Sequence, residues 1–250
     1  MAGFKAALIN EMEKLYKKKK GLVALILSLA FIIIGQFSVS VLRKGFGVRG
    51  TGSTEFPILI LSLFTYTILP LFTALVAIDC FSGEFSHNTM KIAITRPVSR
   101  FKFFTAKICS ILVFSVANLL FVMIFSIIAG VIFNANSFTF QGILRIIISY
   151  LVTIMPMIVL IMVIAFFANI FKNSAEVFFV TIVSFVLFKV LGIIFAQYSS
   201  LFFTSFMDWY NLWIMDKLPL AKIFREFVLM LSYAIILFTG SFYFFDKKEY

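Results

Sequence analysis

Two stretches of this chain carry residue types at spacings that suggest chemistry, and their surroundings decide what they are. Gly45-Phe46-Gly47-Val48-Arg49-Gly50 has the glycine spacing of a dinucleotide-binding turn, in which the backbone closes on a pyrophosphate. Gly47, Gly52, Ser53 and Thr54 approach the spacing of a phosphate-cradling loop. The first pattern needs a strand before it and a helix after it; the second needs a Lys where Ser53 stands, to reach the terminal phosphates. Neither condition is met, because the stretch lies between two long apolar runs. It reads as a flexible Gly-rich turn, and the chain brings no nucleotide site of its own.

The other chemistry-bearing groups are few. Asp79, Cys80 and His87, the only histidine, make a metal site on paper, but a solvated loop histidine accounts for the pattern. Cys80 and Cys109 are far apart in sequence at one membrane rim, so a disulfide is not expected. The acidic residues Asp79, Glu84, Glu176, Asp208, Asp216 and Glu226 fall at the ends of apolar runs rather than in pairs within them. An intramembrane enzyme needs polar groups converging at depth, which this pattern does not offer. Lys189 is the exception, set within an apolar run as Val186-Leu187-Phe188-Lys189-Val190. A charge at membrane depth costs roughly 2.5–3.5 kcal/mol on insertion scales. Two readings stand: the stem snorkels to the headgroups, or the ammonium faces a cavity and meets substrate or a carboxylate such as Asp208 or Glu226.

The elements that must position these groups follow from composition. The 250 residues are 62% hydrophobic and 13% charged, with mean hydropathy +1.08. Soluble domains carry about 45–50% apolar and about 25% charged residues. The expected fold is therefore all-α and integral to a membrane, a single domain over 1–250 of six spans at roughly 20 residues each. They are expected at about 21–42, 57–78, 108–133, 143–171, 177–196 and 227–245, with kinks at Pro70 and Pro156. Residues 1–20 read as an amphipathic helix lying in the interface. Phe4, Leu8, Met12 and Leu15 form its apolar stripe, widened by Ile9 and Tyr16; Lys5, Glu11, Lys14 and Lys17 to Lys20 supply the polar side. A secretory signal is not expected, because Gly21–Leu42 is too long and no cleavage site follows. The segment 197–226, with Trp209, Tyr210 and Trp213, reads as short helices or a re-entrant pair at the headgroup level. No internal repeat is evident.

The net charge of +11 would suggest nucleic acid in a soluble protein. Here it follows the orientation rule instead: Lys and Arg favour one set of loops by two to one, placing both termini in the cytoplasm. The 35 Phe are read chiefly as lipid-facing, although Phe178, Phe179 and Phe185 are also candidates to line a groove between two copies or a path for substrate.

The feature that composition does not explain is a polar island from Asp79 to Lys107 between the second and third spans, with five Lys/Arg that make it cytoplasmic. Within it Ser82-Gly83-Glu84 breaks the second span, and Phe85–Thr95 has the pattern of a short helix along the membrane. Arg96-Pro97 then stops it, since the residue before proline avoids helix. At Asp79, Phe81-Ser82-Gly83-Glu84, Asn88-Thr89-Met90-Lys91, Thr95-Arg96-Pro97-Val98-Ser99-Arg100 and Lys107 the chain resembles the permeases of ABC-2-type exporters. Asn88 stands where that family usually has Gly. The order of amphipathic helix, two spans, island and four further spans fits the resemblance over the whole chain.

The resemblance implies that the amino-terminal helix is an elbow helix and that Phe85–Thr95 is a coupling helix docking into a cytoplasmic ABC ATPase subunit. That subunit would bind ATP and Mg, so no cofactor is expected here. Glu84, Phe85, Thr89, Met90, Arg96, Pro97 and Arg100 are the expected coupling residues, and Lys189, Phe178 and Phe185 the candidates for the translocation path. It further implies a homo- or heterodimer of permease chains in a bacterial plasma membrane. The expected substrate is amphipathic, resembling that of exporters of antimicrobial peptides, bacitracin-like antibiotics and phenol-soluble modulins. The alternative is an ATP-independent channel or an immunity protein that sequesters a peptide.

Overall fold

In a computed structural model, residues 2–46, 52–83, 99–134, 139–171 and 173–247 are described. They form α1 (Ala2–Lys17), α2 (Lys20–Phe46), α3 (Glu55–Tyr66), α4 (Ile68–Cys80), α5 (Arg100–Phe133), α6 (Phe140–Val152), α7 (Ile154–Ile170), α8 (Ser174–Ile194), α9 (Tyr210–Trp213) and α10 (Leu220–Lys247). Two 3-10 segments, Ala196–Leu201 and Phe203–Asp208, lie between α8 and α9. No strand occurs among the described residues. Five of the helical stretches are long and apolar enough to cross a membrane, and the bent pair α3–α4 makes a sixth. The all-α membrane fold read from composition is what the chain adopts.

The spans run up and down, so the bundle has two ends. The near end gathers the α1–α2 joint, the end of α4, the start of α5 and the end of α10; the far end gathers the end of α8 and the start of α10. Side chains set each helix's inward face. On α2 the buried residues are Ala24, Ser28, Ile32, Gln36 and Val39, a single stripe at helical spacing, and the rest of its apolar surface faces outward. That outward surface is what a bilayer covers.

Two spans break for the same reason. Pro70 lacks an N–H and its ring crowds the carbonyl four residues earlier, that of Tyr66; Pro156 does the same to Val152. The helix gives way at the intervening threonine in each case, Thr67 between α3 and α4 and Thr153 between α6 and α7. The α3–α4 bend is 44°. In both breaks the Thr hydroxyl donates to the carbonyl four residues back, Leu63 and Ser149, at 2.7 Å. A membrane interior requires such local satisfaction. The sequence repeats locally as Thr-Ile-Leu-Pro and Thr-Ile-Met-Pro, and the broken spans pack side by side, α3 on α6 and α4 on α7. Repeats on a larger scale are not evident in the sequence, but this short one sets matched kinks in neighbouring helices.

The segment between α8 and α10 turns back into the bundle. Phe203, Phe206, Met207, Trp209 and Tyr210 are buried. Trp209 packs edge-on against Trp213, with ring centroids 5.5 Å apart. The re-entrant reading fits this geometry, and the aromatics pack inward because the second 3-10 segment lies against α7 and α10.

Candidate functional site

Lys107 sits two turns into α5 and is 0% exposed. A buried ammonium needs partners for its three donors. It has them from two other elements: Glu11 Oε2 of α1 at 3.1 Å and the Cys80 carbonyl at the end of α4 at 2.6 Å. Its charge also lies 4.7 Å from the centre of the Phe103 ring, a further favourable site for a cation. Cys80 belongs to the last turn of α4, whose carbonyls lack intrahelical donors. A cation there also meets the negative end of the helix dipole. One side chain thus joins α1, α4 and α5.

Glu11, 1% exposed, takes a second ammonium, Lys14 Nζ, at 2.7 Å. This corrects the reading of α1. The helix turns Phe4, Ala7, Leu8, Glu11 and Leu15 toward the bundle, while Ile9 and Tyr16 are exposed. The spacing 4-8-11-15 is as helical as 4-8-12-15, so Glu11 lies in the apolar column rather than on the polar side. A carboxylate in that column signals a buried cationic partner, and sequence alone does not say which one.

A second attachment lies one turn of α4 away. Asp79 receives Lys20 Nζ at 2.7 Å and Lys18 Nζ at 3.7 Å, both from the α1–α2 joint. The joint is itself held in an unusual backbone: Lys19 has φ 54°, in the left-handed region where a residue with a Cβ is strained. Asp79 at one side of the island and Lys107 at the other are therefore bound to the joint and to α1, and Lys107 ties in the Cys80 carbonyl as well. Beneath them lies an aromatic floor, in which Phe104 meets Phe81, Phe238, Phe242 and Phe245 with centroids 5.3–5.7 Å apart. Arg100 pairs with the Asp246 carboxylate at 3.6 Å and donates to its backbone carbonyl. The end of α10 is thereby tied to the start of α5.

Of the expected coupling residues, Glu84, Phe85, Thr89, Met90, Arg96 and Pro97 lie outside the described residues, as does the Phe85–Thr95 helix. Arg100 is described, and it faces α10. The attachments that frame the island, Glu11–Lys107 and Asp79–Lys20, join residues that sequence reading had placed separately.

The far end is arranged differently. Lys189 is 37% exposed, and its ammonium lies 3.6 Å from Asp208 and 3.5 Å from the centre of the Tyr66 ring. Tyr66 also donates to Asp208. Of the two readings of Lys189, the carboxylate partner is Asp208, and the ammonium faces a cavity of about 480 Å³ that Lys222, Arg225 and Glu226 also line. Lys222 stands 4.0 Å from Glu226. Phe185 is buried with its ring against Tyr66 and Phe203, and Phe178 packs on the same core. Phe179 is exposed.

Residues 7–188 match a family model described as ABC-2 family transporter protein. No curated protein matches the chain.

Proposed function

The chain belongs to the ABC-2 transporter family, and from that premise we propose that it is the permease subunit of an ATP-driven exporter. A separate cytoplasmic ATPase supplies the hydrolysis and two permease chains form the path. The substrate is an amphipathic molecule, with a peptide toxin or antimicrobial peptide the best match to a bundle without large outer domains. The near end faces the cytoplasm of a bacterial cell, by the excess of Lys and Arg there.

The observation that carries this reading is the framing of residues 84–98. Asp79 and Lys107 flank that segment and pair with the α1–α2 joint and with α1, and Lys107 also donates to the Cys80 carbonyl at the end of α4. A push on the segment by a docked ATPase thus reaches three helices at once. Glu84, Phe85, Thr89, Met90, Arg96 and Pro97 are the contacts to the ATPase in this proposal, with Arg100 holding the last helix in step. At the far end the cavity presents Lys189, Lys222 and Arg225 beside Asp208 and Glu226. Both signs of charge are offered to a substrate leaving the path.

The test is reconstitution of the chain with the ATPase encoded beside it. Permease-dependent ATP hydrolysis and substrate export are expected, with Glu84→Ala and Arg96→Ala lowering export at unchanged membrane insertion. Absence of both association and stimulated hydrolysis would sink the proposal. If export or protection survives deletion of 85–95, the chain is instead an ATP-independent channel or immunity protein.

A further inference from the structure

The four consecutive lysines at the α1–α2 joint do not act alike. Lys18 and Lys20 turn to Asp79, at 3.7 and 2.7 Å. Lys17 and Lys19 line the mouth of a different feature, an apolar groove of about 540 Å³ between the joint and the middle of α5. Its floor is Leu22, Leu25, Phe114 and Ala117. Lys17 has only a loose pair with Glu13, at 3.9 Å and largely exposed, and the Lys19 side chain makes no ion pair among the described residues. At the inner end stands Asn118, which is 3% exposed. Ser28 donates to its Oδ1 at 2.9 Å, but its Nδ2 has no partner.

We propose that this groove binds one anionic phospholipid. The lipid's phosphate sits at Lys17 and Lys19, and one acyl chain runs inward over Leu22, Leu25, Phe114 and Ala117. The occupant follows from the chemistry on the groove's walls. A hydrocarbon floor selects an acyl chain, and paired lysines at its rim select a negative headgroup. A soluble anion would leave the floor uncovered, and a zwitterionic lipid would offset its phosphate with its own cation and so gain less from the two lysines. The left-handed backbone of Lys19 turns that residue outward between two lysines committed to Asp79. The lipid therefore binds the same joint that frames the coupling segment, which makes the membrane's anionic content an input to that joint.

The test uses the purified full-length chain in detergent with equal amounts of phosphatidylglycerol and phosphatidylcholine of identical acyl chains, read by native mass spectrometry. Preferential retention of phosphatidylglycerol is expected. A Lys17→Ala/Lys19→Ala variant should lose that preference, by about five-fold or more per lysine. Ala117→Trp, on the lipid-facing side of α5, fills the groove and should lower retention of both lipids while leaving the fold intact. Equal retention of the two lipids by the wild-type chain overturns the proposal. So does an unchanged preference in the double lysine variant, or displacement of the lipid by free glycerol phosphate, which would mark the lysines as a site for a soluble anion. None of these readings depends on ATPase coupling or export, so the proposal stands or falls apart from the assigned function.

Discussion

The two ends of the bundle hold charges in opposite ways. At the near end Glu11 and Lys107 are 1% and 0% exposed and complete one another's hydrogen bonds. At the far end Lys189 and Asp208 are 37% and 46% exposed, 3.6 Å apart beside a cavity. Both lysines lie on spanning helices and each has a carboxylate partner. The difference is solvent. A desolvated pair contributes a fixed joint whose rupture leaves an uncompensated charge, whereas a half-exposed pair contributes little to stability and keeps its charges available to a third group. The near end is a closed, desolvated joint and the far end an open, solvated one.

That contrast can be broken most sharply at the near end. Glu11→Ala or Lys107→Ala alone is expected to destabilise the protein by about 3–5 kcal/mol, measured by denaturant unfolding in detergent. The paired Glu11→Leu/Lys107→Met variant should recover most of that loss, because it removes both charges. A double variant as unstable as the singles would mean that the two residues act independently. The next effect is Asp79→Asn, which weakens the grip on Lys20 and is expected to cost about 1–2 kcal/mol. This loss shrinks as salt is added, since Lys18 and Lys20 are partly solvated.

The far end should respond less. Tyr66→Phe removes a hydroxyl that donates to Asp208 and is expected to cost about 1 kcal/mol, read by the same unfolding transition. Lys189→Met should change stability by less than about 0.5 kcal/mol yet lower export in a vesicle assay, with Lys189→Arg retaining more activity. A large loss of stability in Lys189→Met would erase the distinction between the ends.

Much of the fold was legible. Proline positions foretold both kinks, and the ring's clash with the carbonyl four residues back placed the breaks just after it, at Thr67 and Thr153. The apolar runs foretold the spans, and Lys189 announced itself by being the one charge within a run. The near-end site was legible only in part. Glu11 interrupts an apolar column at positions 4, 8, 11 and 15, but a charge on a lysine-rich amphipathic helix is ordinarily solvated, so the interruption passed for the polar face. The contact of Arg100 with α10 was not legible, because Asp246 lies 146 residues away. The Phe content read as lipid-facing surface, and Phe81, Phe104 and Phe245 instead fill the near-end floor with 0% exposure.

The sequence by itself determined which stretches are apolar enough to cross a membrane, where two of them bend, and which segment between them is polar. Those are local properties, set by hydropathy, by proline's missing N–H and by charge. Only the tertiary structure decided which charges are spent on one another. Glu11 and Lys107 lie 96 residues apart, and whether an ammonium is a buried joint or an open contact depends on what else occupies the surrounding few ångströms. The same holds for the lysine run, uniform in sequence and divided in space, where Lys18 and Lys20 are taken up by Asp79 and Lys17 and Lys19 are left facing the lipid.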